Sequence, residues 1–483
     1  MARVTQYFGL QLGQGDVDFV DVDVDGDVPV YIDPTAIRNQ QGEWAEECIL
    51  LLGSFFKELL GAIKQNDTSR LESLIFPLVE PNETHLGDSS GKSRGRSLGS
   101  KSKAQELIST LQKSKAVASG FLTDLEDTAL MVDGIDKDII SDITTCVIRR
   151  QLIDYTQQQA RFHNIAMQVQ HSGPMWNRET LEWESSLLKL PRAADDKLLL
   201  VPRSTVRAKL TVDKGTYYRG FLRPHYEHEE LSNPTSAMVR LLKDGERRVN
   251  KTKLDEKLGQ TKTDIVNQTQ AHPDALAKYK NVLGGYDGGV LPSEVLAEKI
   301  GADVEALSTI MAELKTIQPG KDAANLYHRT VARILTNLFG TSLGNERIEK
   351  GLYGGMKRID ITYDNIASHG LFKWLATHYF CPTIVVECKN YGKDVANPEF
   401  DQIAMRFSKS RGNIGLLTCR SFKDKPRALT RARAIADDGN GYVMVLDDED
   451  LSQLFEDLQD AGTDFGERVR FPLLRERFDA LIS

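Results

Sequence analysis

Apolar residues recur along this chain with two different periods, and the change of period marks its elements. Leu326, Val331, Ile334, Leu335 and Leu338 share one face at helical spacing, which predicts a helix over Asp322–Phe339 with Gly340 as its stop. Arg358-Ile-Asp-Ile-Thr362 and Thr383-Ile-Val-Val-Glu-Cys-Lys389 read as strands. Asn397-Pro398-Glu399 opens a helix that runs to about Lys409, with Asn as cap, Pro at the first helical position and an acid in the first turn. Gly412–Cys419 reads as a buried strand, Lys425–Asp437 as a helix, Gly439-Asn-Gly441 as a turn, Tyr442–Leu446 as a strand and Asp450–Leu458 as a closing helix. Towards the N-terminus, alternation over Asp16–Tyr31 predicts strands joined at Asp25-Gly26, followed by a helix over Glu43–Lys64. Residues 104–170 read as mostly helical, with a capped helix start at Asp133–Asp138.

Alternation along a strand also places the polar side chains. In the run 383–389, Val385, Glu387 and Lys389 share a face; in the run 358–362, Asp360 lies opposite Ile359 and Ile361. If the two strands pair, Asp360, Glu387 and Lys389 converge on one pocket. Two carboxylates are hard oxygen donors that suit a magnesium-like ion, and a lysine beside them can orient a water or stabilise phosphoryl charge. The bland alternative is an exposed ion pair at a sheet edge.

With the surrounding elements, this segment resembles the PD-(D/E)xK nuclease superfamily. Asp360 matches the family's first acid, Glu387 and Lys389 its Glu-x-Lys, and Gln402 the glutamine on the following helix; Glu387-Cys-Lys389-Asn-Tyr391 with Gln402 resembles the branch of restriction and phage-defence nucleases. The resemblance covers roughly residues 320–460. It implies an α/β C-terminal domain of restriction-endonuclease-like fold, a mixed central sheet flanked by helices, and a metal-dependent endonuclease acting on DNA in prokaryotic defence. It implies Mg²⁺ as cofactor, with Mn²⁺ as substitute, on Asp360, Glu387 and the Cys388 backbone carbonyl, and catalytic roles for Asp360, Glu387, Lys389 and Gln402. The chain departs from the family in having Ile359 before the aspartate and no glutamate on the preceding helix. That helix offers Asn325 and His328 instead, with His328 read as an ordinary helix-surface residue or as a proton shuttle. Glu346 and Glu349 are candidates for a further carboxylate. RNA cleavage, DNA repair and an inert nucleic-acid-binding or assembly role remain as alternatives.

Charge refines the partner. The formal charge of the 483-residue chain is −8, and residues 1–50 carry all of it, with ten acids against Arg3 and Arg38. The remainder is balanced, so local clusters decide nucleic-acid affinity. From Arg203 to Lys262 fourteen Lys/Arg face eight acids, and Tyr217-Tyr218-Arg219 interleaves aromatics with cations. Arg406, Lys409, Arg411 and Arg420 follow the active strands and, with Tyr218 and Arg219, are candidate contacts to nucleic acid. Double-stranded DNA is the expected partner, with a homo-oligomer for double-strand cutting and a regulatory protein as further partners.

The other motifs are weaker. Asp21-Val-Asp-Val-Asp-Gly26 matches the front of a calcium loop, but Ile32 stands at the closing position. Gly87–Ser97 contains Gly-Lys-Ser without the flanking strand and helix of a phosphate loop, and reads as a basic loop. His225 and His228 are a weak metal pair; His163 and His171 read as structural. Ser293–Ile310 resembles a helix-turn-helix, yet Asp303, Glu305 and Glu313 on its second helix favour a helical hairpin or protein contact over base reading.

Five scattered cysteines without a C-x-x-C pair, no apolar run of membrane length and no signal-like N-terminus lead to the expectation of a reducing cytoplasm. The expected organisation is an α+β domain at 1–125, a helical and basic middle region at 126–283, a linker and hairpin at 284–318, and the nuclease-like domain at 319–483.

Overall fold

The computed structural model describes residues 2–79, 81–87, 101–194, 196–285, 289–352, 357–460 and 471–483. The basic loop after Gly87, the middle of the 284–289 linker and the side chains of Glu349 and Ile359 lie outside the described residues.

Two large hydrophobic cores organise the described residues, beside a small cluster of Ile153, Met175, Leu190 and Leu199. One runs from Val4 to Ile300, the other from Ile310 to Leu481. The first includes Phe55, Leu125, Met131, Tyr155 and Tyr217 together, so the boundary expected at 125/126 falls inside a single core. Its main helices are α1 (Glu43–Gln65) and α2 (Arg149–Phe162). Among the described residues, no helix is long and apolar enough to cross a membrane.

The valine-rich N-terminal segment corrects its sequence reading. Val17, Phe19, Val20, Val22, Val24, Val28 and Val30 are all buried, on both parities of the alternation, and regular strand is confined to Tyr31–Ile32, paired with Val206–Arg207. The expected hairpin at Asp25-Gly26 is absent because the aspartates cap local backbone instead. Asp21 accepts from the Thr5 amide at 2.9 Å and its hydroxyl at 2.7 Å, and Asp23 accepts from the Asp25 amide at 3.0 Å.

The two cores meet through a helical hairpin, α3 (Ser293–Ile300) and α4 (Leu307–Thr316). Leu296 and Ile300 enter the first core; Ile310, Met311 and Leu314 enter the second. The acids on the hairpin have a structural task. Glu305 and Glu313 both bind Arg333, at 2.7 and 2.6 Å, on α5 (Ala324–Phe339).

The second core surrounds a five-stranded mixed sheet: β1 (Leu343–Leu352), β2 (Lys357–Asn365), β3 (Thr383–Lys389), β4 (Ile414–Cys419) and β5 (Tyr442–Leu446), in that spatial order. The first two pairings are antiparallel and the last two parallel. Parallel neighbours require a crossover, supplied by α7 (Asn397–Ala404) and α8 (Lys425–Asp437). Between β2 and β3 lies α6 (Gly370–His378), and α9 (Asp448–Asp460) and α10 (Pro472–Ile482) close the fold. The N-cap of α7 is Ala396, one residue before the expected Asn397, and its amide donates to Glu399 Oε2 at 2.8 Å. Every residue of β3 is buried, as a strand covered on both faces requires.

Candidate active site

The register of β2 and β3 brings the sequence-predicted residues together. Ile361 pairs with Val386, which sets Asp360 and Glu387 beside each other one step further along. Asp360 Oδ2 accepts the Cys388 amide at 2.9 Å, and this bond ties the first carboxylate to the strand that carries the second.

Glu387 is fully buried and surrounded by donors. Gln402 Nε2 donates to its Oε2 at 2.9 Å, Lys389 Nζ to the same oxygen at 3.3 Å, and Arg406 Nε to Oε1 at 3.2 Å. Lys389 Nζ also donates to Gln402 Oε1 at 3.1 Å, so the glutamine amide gives to the acid and takes from the amine. Burial and then the charge of Asp360 push the Glu387 carboxyl up to about 7 against the opposing pull of Lys389 and Arg406. Two carboxylates thus face two cations, and burial makes the Glu387 carboxyl the one that holds a proton more readily. Asp360, Glu387 and the Cys388 carbonyl offer oxygen donors alone, the set that a hard divalent cation takes, so the residues present fit Mg²⁺ or Mn²⁺.

His328 belongs to this site. Its Nε2 lies 3.1 Å from the Cys388 carbonyl and 4.0 Å from Asp360 Oδ2. A carbonyl only accepts, so Nε2 carries the hydrogen and, in the neutral ring, Nδ1 is left as a base. The reading of His328 as an ordinary surface residue is thereby corrected: one helical face of α5 turns it onto the end of β3.

Other expected residues fall elsewhere. Arg406, expected at a phosphate, is buried and turned onto Glu387; its spacing of four from Gln402 was the available signal. Arg411 Nε donates to the Arg406 carbonyl at 3.0 Å, and Arg420 pairs with Asp448 at 3.0 Å over the Tyr327 ring. Lys409 is exposed. Tyr218, expected as a stacking platform, is buried with its hydroxyl donating to Asp255 at 2.7 Å, whereas Arg219 is exposed. Glu346 bonds Tyr363, on the face of β2 opposite Asp360, so it is not a further ligand. The weak pair His225/His228 is replaced by a cluster of His225, His272 and Asp274, in which the two imidazoles stack at 4.7 Å. Its residues come from two separate helical segments, which sequence spacing could not join.

A family model described as a domain of unknown function (DUF8370) matches residues 9–213, within the first core and outside the five-stranded sheet. No curated protein and no solved structure matches the chain.

Proposed function

We propose that the C-terminal unit is a metal-dependent phosphodiesterase that cuts nucleic acid, with double-stranded DNA as substrate. The observation that carries this reading is the convergence of Asp360, Glu387, Lys389 and Gln402 at one end of β2 and β3. A mixed sheet with the acids on adjacent antiparallel strands, followed by two parallel crossovers, supports a restriction-endonuclease-like fold. A divalent cation on Asp360, Glu387 and the Cys388 carbonyl would polarise the phosphate and acidify the attacking water. Lys389 holds positive charge where the phosphoryl group gains negative charge. Gln402 fixes Lys389 and Glu387 relative to one another, and His328 Nε2–H holds the Cys388 carbonyl beside Asp360. The first core selects or gates the target, and paired copies would cut both strands. A role in defence against foreign DNA rests on the family resemblance.

A second reading, an inert nucleic-acid-binding protein, draws on the three donors that already close around Glu387. Cleavage of plasmid, linear, single-stranded and RNA substrates with Mg²⁺, Mn²⁺ or EDTA separates the two. Metal-dependent cutting that is lost in Asp360→Ala and Lys389→Ala establishes the site and names the substrate. Binding without cutting in every metal supports the inert reading.

A further inference from the structure

A cleft of about 840 Å³ opens between the two cores, and of the candidate-site residues His328 stands in its lining. Its first wall is a stripe of α2, where Gln151, Asp154 and Gln158 follow one another by a helical turn; its second is the start of α5, where His328 and Arg329 lie one turn after Asn325. His328 joins the two places, since it lines the cleft and also touches the Cys388 carbonyl.

The charges in this cleft do not suit a phosphate backbone. Glu43, Glu47 and Asp154 stand in the same walls as Arg161, Arg329 and Arg347. Arg347 is committed to Asp364 at 2.5 Å, and Glu47 to Arg178 at 3.4 Å. Beside the charges of Asp154 and Arg161, the walls present amides. Among the described residues, the side chains of Gln151, Gln158 and Asn325 have no partner. Each amide offers both a donor and an acceptor, the complement of a base edge. Phe162, on the same wall, supplies apolar surface.

We propose that this cleft receives a nucleobase of the strand whose phosphate lies at Asp360 and Glu387, so that Gln158 and Asn325 are specificity-determining residues. The base enters between α2 and α5 while the sugar and phosphate stay outside the acidic walls. This proposal rests on the nucleic-acid reading of the neighbouring site and names what that site selects.

The test uses the full chain in EDTA, where cutting does not interfere. Single-stranded hexanucleotides, one for each base, and an abasic hexamer of the same charge are titrated by fluorescence anisotropy. At least one base-bearing hexamer is expected to bind about tenfold tighter than the abasic one, the scale of one good base-edge contact. In Gln158→Ala/Asn325→Ala, both exposed positions, that advantage is expected to vanish with abasic affinity unchanged. Equal binding of abasic and base-bearing hexamers by the wild type, or an advantage that survives the double variant, overturns the proposal. Magnesium-dependent cutting without the base advantage sinks the cleft alone; a base advantage without cutting sinks the nuclease reading alone.

Discussion

Two pairs of carboxylates, one on adjacent strands of the sheet and one joining the sheet to the first core, have opposite fates. At the end of β3, Asp360 and Glu387 are met by Lys389, Arg406 and Gln402, and Asp360 remains partly open to solvent. At the junction of the two cores, Asp18 and Glu346 are sealed. Asp18 Oδ2 accepts from Tyr155 at 2.8 Å and from the Glu346 amide at 2.9 Å, while Tyr363 donates to Glu346 at 2.9 Å. Burial, with the charge of Asp18 next, pushes Glu346 up to about 8, and burial pushes Asp18 up to about 6. Each pair contains a carboxyl that burial has pushed up, but only the first keeps an acid, Asp360, open to solvent. Access, rather than acidity, separates a candidate site from a structural lock.

The largest expected difference is in activity. Lys389→Ala should lower metal-dependent cleavage about a thousandfold, the scale for losing a preorganised charge-stabilising group, while Gln402 and Arg406 still partner the buried Glu387 and keep the variant folded by circular dichroism; Glu346→Gln should cut like the wild type. If the two variants lose cleavage equally, the contrast between the pairs fails.

Next comes the neighbouring ion pair at the junction. Asp364 is fully buried against Arg347, so Arg347→Ala leaves a buried charge and should cost about 3–5 kcal/mol in urea unfolding. A cost near zero would mean that water reaches this end of the sheet.

His328→Ala should reduce cleavage about 10- to 100-fold, the range for losing a group that orients a metal ligand, and should raise the Mg²⁺ concentration needed for half-maximal cutting. An unchanged rate would mean that the Cys388 carbonyl holds its place without the imidazole.

The pH dependence of stability is smaller. Glu346 and Asp18 have folded values above their ordinary ones, so the folded state keeps protons that the unfolded chain has released. Their contribution is complete below about pH 4, where both states are protonated, and is lost as pH rises through about 6 and about 8. Thermal melts should fall between pH 5 and pH 8.5 by on the order of 2 kcal/mol, and Glu346→Gln should flatten that slope.

The smallest effect is expected for Glu346→Gln at pH 7. A residue that already carries its proton loses little as an amide, and the change should stay within about 1 kcal/mol. Destabilisation of several kcal/mol would show that Glu346 is ionised in the folded state.

Much of the C-terminal unit was legible because its signals are local. The run Thr383–Lys389, the helix Lys425–Asp437 and the strand Tyr442–Leu446 stand where the apolar periods put them. The helix Gly370–His378 went unread between β2 and β3. The N-terminal valines misled because a segment buried on both sides loses the one-sided exposure that alternation normally reports. Tyr218 and Arg406 were read as free surface groups because their acceptors, Asp255 and Glu387, lie 37 and 19 residues away.

By itself the sequence determined that Glu387 and Lys389 share a face, that Asp360 stands on a separate strand, and that helices follow each of the parallel strands. Those facts depend on periods of two and 3.6 residues, which short stretches of chain carry. Only the tertiary structure decided that Asp360 meets Glu387, that His328 and Arg406 turn inward, that Glu346 is sealed against Asp18, and that a cleft of unpartnered amides has His328 in its lining. These depend on strand register and on the docking of two cores across more than three hundred residues of sequence, as in the contact between Asp18 and Glu346. No local pattern encodes such a contact, because its energy is gained only when both cores are already formed.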